Sequence, residues 1–382
     1  MKQAIMIGAG NIGRRFIGAI LSRSGYHVTF ADVNMTLIDA INAEGRYTVH
    51  IQDRDPAAFT ITNIDGISSA GPELAEALKT AELVTTAVGL RILPIVAKPI
   101  AAGIAARKAA GNAAPLNIVA CENAVRATSQ LKRAVYDLLD EETKAFADEN
   151  VGFADCAVDR IVPKMDFADP LDVAVEEFSE WDVERSGWKG ELPQIDGMTI
   201  VEDLSAYIER KLFTLNSGHA ICAYLGCLRG HHTILDSVSD PVIGPIVYRA
   251  MQQSGAGLVK KFSMDAEKHQ AYIDRIFARF HNPYLQDEVA RVGREPIRKL
   301  AASDRLINPL LTAYNFGMKV DQLIFGAAAA LRYDNAEDPQ SVELQKTIAE
   351  QGAAAALAQY SGLAADHPLS TRILDVFRAL AV

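Results

Sequence analysis

The sequence predicts an α/β protein, with an N-terminal domain built on a mostly parallel sheet with extra strands and a mainly α-helical C-terminal domain. Short apolar runs alternate with helix-like segments over roughly the first 125 residues, strand-like runs fill 151–191, and helical patterns dominate from about Asp203 onward. The length of 382 residues exceeds the usual single-domain range, and we place the domains at 1–195 and 196–382.

The first domain is predicted to contain right-handed βαβ units, because its strand-like runs are separated by helix-like segments. Helices are expected up to about Ser24, over an Ala- and Ile-rich segment that contains Pro94 and Pro99, and from about Ala124 to Leu139. The predicted strands are AIMIG (4–8), YHVTFAD (26–32), LVTTAV (83–88) and PLNIVACEN (115–123).

Beyond this alternating region, the runs GFADCAVDRIV and LDVAVEEFSEW are expected to form strands that extend the sheet toward the second domain. In the second domain, Asp338 followed by Pro339 is typical of a helix start, with an N-cap and a proline in the first turn. Helices are also predicted over 353–361 and 368–381.

The composition is that of a globular protein, with 49% hydrophobic and 23% charged residues. A net charge of −10 argues against nucleic acid as a partner, because phosphate backbones favour basic surfaces. An anionic substrate would therefore require a local basic cluster.

The N-terminal sequence and the four cysteines indicate the cellular compartment. The chain begins with a strand-like run that lacks the features of a signal peptide, and no stretch approaches the ~18 apolar residues of a membrane span. The cysteines form no CxxC pair, which favours free thiols in a reducing compartment. We expect a cytoplasmic protein without a membrane partner.

The most specific local motif is GAGNIG, which follows the first strand and opens a helix. In a Rossmann dinucleotide site, the first glycine of such a motif makes the tight turn, the second lets the backbone approach the pyrophosphate, and the third lets helix and strand pack closely. The motif alone is weak evidence, but its strand–turn–helix context supports it. The residues predicted to bind the cofactor are Ile7, Gly8, Ala9, Gly10, Asn11, Ile12, Gly13, Asp32, Ala87 and Val88.

Asp32 ends the second strand, near the offset at which an acidic residue binds the adenosine ribose. Its carboxylate should accept hydrogen bonds from the ribose diol and repel a 2′-phosphate, which favours NAD over NADP. Arg14 and Arg15 follow the glycine motif, and they either assist phosphate binding or lie solvated on the first helical turn.

In the second domain, Lys211, Asn216 and His219 lie within an apolar helical run. At about 100° per residue they fall near 0°, 140° and 80° around the helix axis, so they can share one broad face. A lysine whose pKa is lowered by burial can act as a general base, an asparagine can donate to an alkoxide, and a histidine can relay a proton. The alternative is a solvated surface lysine and a histidine in the core or at a cap.

The segment KLFTLNSGH matches the Lys-x4-Asn-x2-His pattern of the polyol-specific long-chain dehydrogenases, and GAGNIGRRFIG resembles the start of those proteins. Arg15 stands where that pattern has glycine. The resemblance extends over nearly the whole chain and is strongest to members that act on a hexitol phosphate. Supporting stretches are FADVN, LVTTAVG, PLNIVACEN, VGFADCAVDRIVP, FSEW, NPYL and RVGREPIRKL.

The resemblance implies NAD-dependent, reversible oxidation of D-mannitol 1-phosphate to D-fructose 6-phosphate without a metal. It implies that Lys211 is the general base, that Asn123 and Asn216 stabilise the alkoxide or carbonyl oxygen, and that His219 contacts the substrate or the proton path. The alternative for Asn123 is an ordinary asparagine that ends a strand. The resemblance is compatible with a monomer and with a small sugar phosphate as the partner.

A phosphorylated substrate needs cations, and the segment from Arg291 to Arg305 is dense in them. The alternative for each is a solvated helix face with local salt bridges. Asp159 and Arg160 either position the site or form a structural ion pair. The candidates to bind the phosphate are Arg294, Arg298, Lys299 and Arg305.

Two other functions remain open from the sequence. An unphosphorylated polyol or hexuronate could be the substrate, in which case the basic segment would point away from the pocket. A non-catalytic NAD sensor would not need Lys211, Asn123 and Asn216 to converge.

Overall fold

The computed structural model describes residues 1–10, 12–53, 55–161, 165, 167–285 and 287–380. Its contacts divide the chain into two compact units, Met1–Tyr207 and Ile208–Val382. The division predicted from the sequence lies between residues 195 and 196.

The first unit holds a six-stranded sheet in the order β5-β2-β1-β6-β7-β8, in which every paired neighbour is parallel. All four strands predicted in the alternating region belong to this sheet, so the predicted parallel α/β architecture is confirmed. The described strands are β1 Lys2–Ile7, β2 Tyr26–Asp32, β3 Tyr47–Ile51, β4 Ala57–Ile61, β5 Ile64–Ser68, β6 Leu83–Thr86, β7 Leu116–Ala120, β8 Val151–Phe153, β9 Cys156–Asp159, β10 Val173–Val175, β11 Glu180–Glu184 and β12 Thr199–Val201.

The strands after residue 150 differ from the prediction. Only β8 extends the main sheet, whereas β10 joins β3 and β4 in one three-stranded sheet and β9 joins β11 and β12 in another. Strand β10 pairs with a strand far away in the sequence, with Val173 opposite Val49, so local alternation could not reveal that pairing.

The sheet has a core on each face, because successive side chains of a strand point to opposite sides. On β1, Met6 packs in the cluster that contains Phe16 and Phe30, whereas Ile5 packs in the cluster with Ile100 and Ile118. The helices that cover these cores are α1 Gly18–Arg23, α2 Met35–Glu44, α3 Glu73–Ala77, α4 Leu93–Ala109, α5 Ala127–Tyr136 and α6 Glu141–Asn150.

Two of these helices depart from the sequence prediction. Helix α5 is shorter than the predicted segment, and α6 was not predicted as a separate helix. Asp140 starts α6 by accepting a hydrogen bond from the Thr143 N–H at 2.7 Å, which is an N-cap. A π-helical segment over Gly13–Ile17, here called the first π turn, precedes α1.

The second unit is helical, as predicted. The Asp338 carboxylate caps the helix that starts at Pro339, as expected, by accepting from the Gln340 N–H at 3.0 Å. The helices are α7 Leu204–Lys211, which contains the division between the units, α8 Ser217–Leu228, α9 Ile234–Ser239, α10 Ile243–Phe262, α11 Ala266–Phe280, α12 Val289–Gly293, α13 Pro296–Lys299, α14 Ile307–Asn315, α15 Asp321–Leu331, α16 Pro339–Gln351, α17 Ala353–Ser361 and α18 Pro368–Ala379.

Among the residues that the structure describes, no helix combines the length and the apolar character that crossing a membrane requires.

Arg107 is a buried cation in the first unit, with 1% of its surface exposed. Its guanidinium donates to the carbonyl oxygens of Leu78, Lys79 and Ala81 through Nη1 and to that of Ala114 through Nη2, at 2.8–3.1 Å. One side chain therefore satisfies the backbone of two loops that flank the sheet.

We expect Arg107→Met to lower the free energy of unfolding by about 2–5 kcal/mol, because four carbonyls lose a buried donor. Urea unfolding followed by circular dichroism measures the change. The control Arg378→Met removes a cation whose side chain is 69% exposed and should change stability by less than about 0.5 kcal/mol. Equal midpoints for Arg107→Met and the wild type would contradict this role.

His269 is a buried histidine on α11 that faces α10, with 5% of its surface exposed. Among the described residues neither ring nitrogen has a hydrogen-bond partner. Burial, together with the nearby charge of Arg210, lowers the pKa of His269 to about 4. The folded protein therefore keeps this ring neutral.

The sign of the pH dependence follows from this lowered pKa. The unfolded chain takes up the proton near pH 6.5 and the folded protein only near pH 4, so stability from His269 is present above pH 6.5 and is lost as the pH falls toward 4. We expect His269→Phe to reduce the loss of unfolding free energy over this window by up to about 3 kcal/mol. Urea unfolding at pH 7, 6, 5 and 4 measures it, and an unchanged slope would contradict the assignment.

Candidate functional site

The glycine turn after β1 is closely packed at two of its three glycines. Gly8 has φ +96°, and a Cβ there would lie 2.6 Å from the Ala87 oxygen. A Cβ on Gly13 would lie 1.8 Å from the Gly8 oxygen, whereas a Cβ on Gly10 would meet no atom within 4 Å. Only glycine fits at the first and third positions, and the second faces open space where a ligand can approach the backbone. Asn11, which was also predicted to bind the cofactor, lies outside the described residues.

Asp32 lies beside this turn at the carboxyl end of β2. One carboxylate oxygen accepts from the Ala9 N–H at 2.7 Å and the other from the Asn34 N–H at 2.9 Å. A carboxylate has about four acceptor positions, so each oxygen retains capacity for a further donor such as a ribose hydroxyl. The residues present at the turn and at Asp32 thus fit a dinucleotide.

Arg14 is buried and does not lie solvated on the first helical turn, which was one of the two alternatives considered from the sequence. Only 8% of its surface is exposed, and its guanidinium donates to the Ala9 oxygen at 3.0 Å and the Leu171 oxygen at 2.7 Å. Burial lowers its pKa from the ordinary arginine value. The side chain therefore holds the turn from inside the protein, and the expectation of a solvated arginine was wrong. Arg15 is half-buried.

Glu122 is a buried carboxylate that the sequence analysis did not single out. It accepts from the Thr86 hydroxyl at 2.9 Å and from the N–H groups of Val88 and Gly89 at 2.9 and 2.8 Å. The acid in the apolar run ACEN was the available signal. Its bonds fix the segment after β6, which contains Ala87 and Val88, two predicted cofactor contacts.

Asn123 follows Glu122 directly and is exposed. The strand β7 ends at Ala120, so Asn123 lies in the loop after the strand rather than at its last residue. The glycine turn, Asp32, Val88 and Asn123 lie at or just after the carboxyl ends of β1, β2, β6 and β7, which are adjacent in the sheet. The chain order reverses between β1 and β6, and ligands of open α/β sheets bind at this kind of switch point.

In the second unit, the predicted catalytic side chains lie on one helical run interrupted by a second π turn over Leu212–Asn216. The Ser217 N–H donates to the Leu212 oxygen, five residues back. The regular α-helix assumed from the sequence is therefore wrong at this point, and π insertions often accompany functional sites.

The second π turn changes which side chains share a face. One inserted residue rotates everything after it back by about 100° relative to a regular helix. Asn216 and His219 then fall about 40° and 20° on either side of Lys211, instead of about 140° and 80° from it. All three are half-buried, and this ideal helix spacing puts them within about 60° of one another around the axis, as one polar stripe.

His219 takes part in a series of side-chain contacts with charged residues that was not predicted. Its Nε2 lies 3.2 Å from the Asp287 carboxylate, its ring stacks on Phe280, and Asp287 also binds Arg291. Burial lowers the pKa of His219 despite the carboxylate. Burial also opposes the charge of Asp287, but the hydrogen bond and charge of His219 together with Arg291 prevail and lower the pKa of Asp287.

Two of the predicted phosphate-binding residues are paired locally. Arg298 lies 3.1 Å from Asp304 and 2.7 Å from Glu295, and Arg305 lies 2.8 Å from Asp304. The structure brings these arginines together around a shared carboxylate. Their charges are therefore partly neutralised without a ligand.

The other two predicted phosphate-binding residues, Lys299 and Arg294, differ from each other in burial. Lys299 has 4% of its surface exposed and donates to the Val292 and Arg294 oxygens, and burial, followed by the charges of Arg305 and Arg298, lowers its pKa to about 7. Arg294 is exposed, and no carboxylate partner is found for it within the described ranges.

The neighbours Asp159 and Arg160 are both held in the first unit. Arg160 donates to the Glu176 oxygen at 2.8 and 3.1 Å and lies over the Phe16 ring. Burial lowers the pKa of Arg160 to about 10. Asp159 is buried at the end of β9. No group of three or more His, Cys, Asp or Glu residues in the described part of the chain is arranged to hold a metal ion.

Two family models match consecutive parts of the chain. The mannitol dehydrogenase Rossmann domain matches residues 2–197, and the mannitol dehydrogenase C-terminal domain matches residues 203–378.

Solved structures of similar fold include a D-sorbitol dehydrogenase in substrate-free form, with a TM-score of 0.83, 16% identity, and coverage of 99% of this chain and 92% of that one. The Pseudomonas fluorescens mannitol 2-dehydrogenase, in a ternary complex with NAD and D-mannitol, matches with a TM-score of 0.70 and 16% identity. That match covers 99% of this chain and 91% of the other.

We expect Asp32→Ala to weaken NAD binding roughly 10- to 100-fold, because the loss of hydrogen bonds to a charged group costs about 1.5–3 kcal/mol. Discrimination against NADP should also relax. Fluorescence titration with both reduced cofactors measures the two affinities. The control Asp65→Ala removes a half-exposed acid from the adjacent strand β5 and should leave both affinities unchanged. An unaltered ratio for Asp32→Ala would contradict the ribose assignment.

Proposed function

The chain belongs to the mannitol dehydrogenase family and is thus an NAD-dependent oxidoreductase acting on CH–OH groups, and we propose that it is a mannitol-1-phosphate 5-dehydrogenase. It would interconvert D-mannitol 1-phosphate and D-fructose 6-phosphate. The observation that carries the reaction type is the stripe of Lys211, Asn216 and His219 on one helical run. The near full-length resemblance to hexitol-phosphate enzymes supports the substrate.

The first unit would hold NAD through the turn from Gly8 to Gly13 and through Asp32, whose spare acceptor positions suit a ribose diol. NAD supplies the acceptor for the hydride that leaves C5 of the substrate. The N–H groups at the start of the helical run after the turn favour the negatively charged pyrophosphate.

We assign the proton transfer to Lys211. As general base, its amine removes the C5 hydroxyl proton while the hydride leaves the same carbon, and in the reverse direction its ammonium returns that proton. The amide N–H groups of Asn216 and Asn123 donate to the substrate oxygen as its charge changes. His219, held through Nε2 by Asp287, contacts the substrate or the path of the proton.

Of the four predicted phosphate residues, Arg294 is our candidate to bind the ester. It is exposed, and the described residues offer it no carboxylate. Its Nε donates weakly to the Arg291 oxygen at 3.4 Å, and its two Nη groups are our candidates to donate to phosphate oxygens. Arg298 and Arg305 would first have to give up Asp304, and Lys299 is buried against backbone oxygens.

A second candidate is the oxidation of an unphosphorylated polyol or a hexuronate. The local pairing of Arg298 and Arg305 with Asp304 favours it, because most of the basic segment is already neutralised. By their names, the two solved structures of similar fold act on sorbitol and mannitol. A non-catalytic NAD sensor does not fit membership of a dehydrogenase family.

We predict that the protein oxidises NADH with fructose 6-phosphate at a kcat/KM at least ~100-fold above that with fructose. Arg294→Ala should raise KM for fructose 6-phosphate roughly tenfold or more with little change for fructose, since the lost contact binds only the phosphate. The control Arg378→Ala, at an exposed position on α18, should change neither.

If the protein reduces fructose but not fructose 6-phosphate, the proposed substrate becomes an unphosphorylated polyol instead of the phosphate ester. Activity restricted to hexuronates would move the assignment to that substrate class. If KM is unchanged in Arg294→Ala while fructose 6-phosphate is still preferred, the assignment of Arg294 to the phosphate is wrong and the proposed substrate stands.

A further inference from the structure

The second π turn leaves one backbone oxygen out of the helical hydrogen-bond pattern. In an uninterrupted α-helix the Ser217 N–H would donate to the Phe213 oxygen, four residues back. Here it donates to the oxygens of Leu212 and Thr214 and skips Phe213. Phe213 is fully buried, so its oxygen needs another donor.

That donor comes from another helix. The hydroxyl of Ser254, on α10, donates to the Phe213 oxygen at 2.8 Å in a buried hydrogen bond. Ser254 has no exposed surface. The bond spans 41 residues of sequence, so it joins the second π turn to a separate element of the same unit.

The two helical elements are also packed without spare room. A Cβ on Gly218, directly after the π turn, would lie 2.8 Å from the Met251 side chain on α10. The serine hydroxyl is therefore held at a fixed distance from the bulged backbone. A small shift of either element would break this hydrogen bond, and the tight packing leaves little room for another donor.

The first π turn follows the same rule. The Gly18 N–H donates to the Gly13 oxygen, which skips the Arg14 oxygen, and the buried Tyr47 hydroxyl donates to that oxygen at 2.6 Å. At both π turns the skipped carbonyl thus has a buried hydroxyl as its donor. This recurrence indicates that the hydroxyl is part of what keeps the helix in its π form.

We propose that Ser254 is a positioning residue that holds the second π turn and thereby sets the relative orientation of Lys211, Asn216 and His219. Without the hydroxyl, the Phe213 oxygen regains a donor if the helix returns to α-helical bonding. That change would rotate Asn216 and His219 by about 100° away from their alignment with Lys211. The inference rests on the proposed function for its effect on turnover, but not for its effect on the backbone.

The test compares four variants by steady-state kinetics, with whichever ketose the wild type reduces. Ser254→Ala and Ser254→Cys remove or weaken the donor, and we expect kcat to fall roughly tenfold or more, since misplaced reacting groups cost up to about 10²-fold. The Kd for NADH should stay unchanged. Ser254→Thr keeps the hydroxyl but adds a methyl group to a packed contact, so its kcat should lie between that of the wild type and that of Ser254→Cys. Ser370→Ala, which removes the partly buried hydrogen bond from another buried serine to the Ala364 oxygen in this unit, is the control and should keep full activity.

Two further readouts separate positioning from a general loss of stability. The pH dependence of kcat should change in Ser254→Ala but not in Ser370→Ala, because only the first alters the surroundings of Lys211. Hydrogen exchange at the Ser217 and Gly218 amides should change in Ser254→Ala but not in Ser370→Ala, because a return to α-helical bonding gives the Ser217 N–H a different acceptor. If Ser254→Ala does not fold, Ser254→Cys against Ser254→Thr supplies the same comparison.

Wild-type kcat together with unchanged amide exchange in Ser254→Ala and Ser254→Cys would overturn the proposal. Equal losses in Ser254→Ala and Ser370→Ala would also overturn it. If the wild type reduces neither fructose 6-phosphate nor any tested polyol ketose, the proposed function fails, and the exchange at Ser217 and Gly218 still decides whether Ser254 holds the turn.

Discussion

Both units depend on one constraint, which is that a backbone N–H or C=O group removed from water must have a hydrogen-bond partner. Where strand and helix bonding ends, buried side chains take over. Arg107 supplies donors to four carbonyls of the first unit, and Glu122 accepts from two amides after β6. Charged groups such as the Arg107 guanidinium and the Glu122 carboxylate are costly to bury, and both are found where the backbone path is irregular.

The irregular paths coincide with the candidate sites. The glycine turn is held by Asp32 and Arg14, which bind the N–H and the oxygen of Ala9. In the second unit, the π turn is held by Ser254, and the histidine that follows it is held by Asp287. The glycine turn and His219, which we propose to contact cofactor and substrate, therefore each have a neighbour that fixes the backbone or the ring, and such fixation gives a reacting group the precision it needs.

The regular parts of this fold were accessible from the sequence because their signals are local. The strand Tyr26–Asp32 and the cap at Asp338 were predicted with the observed bounds, since alternation and capping are read over a few residues. The parallel order of the main sheet followed from the alternation of strands and helices. The small sheets did not, because a pairing such as that of Val173 with Val49 has no local signature.

The candidate site shows the same limit. The identities of Lys211, Asn216 and His219 and one broad common face were predicted from the sequence, but the π turn between them was not, because a π insertion leaves no periodic pattern in so short a segment. The partners that complete the site come from elsewhere in the chain: Asp287 is 68 residues beyond His219 in the printed sequence. The burial of Arg14 was not predicted for a related reason, since its guanidinium donates to the oxygen of Leu171, which belongs to a distant loop.

The central claim is that Lys211 transfers the proton while the first unit binds the cofactor independently of it. The measurement is the rate of NADH oxidation and the Kd for NADH in Lys211→Ala, with Lys261→Ala, a partly exposed lysine on α10, as the control. We predict a fall in kcat of at least ~100-fold for Lys211→Ala with an unchanged Kd, and wild-type behaviour for the control. Turnover that survives the loss of Lys211 would contradict the account.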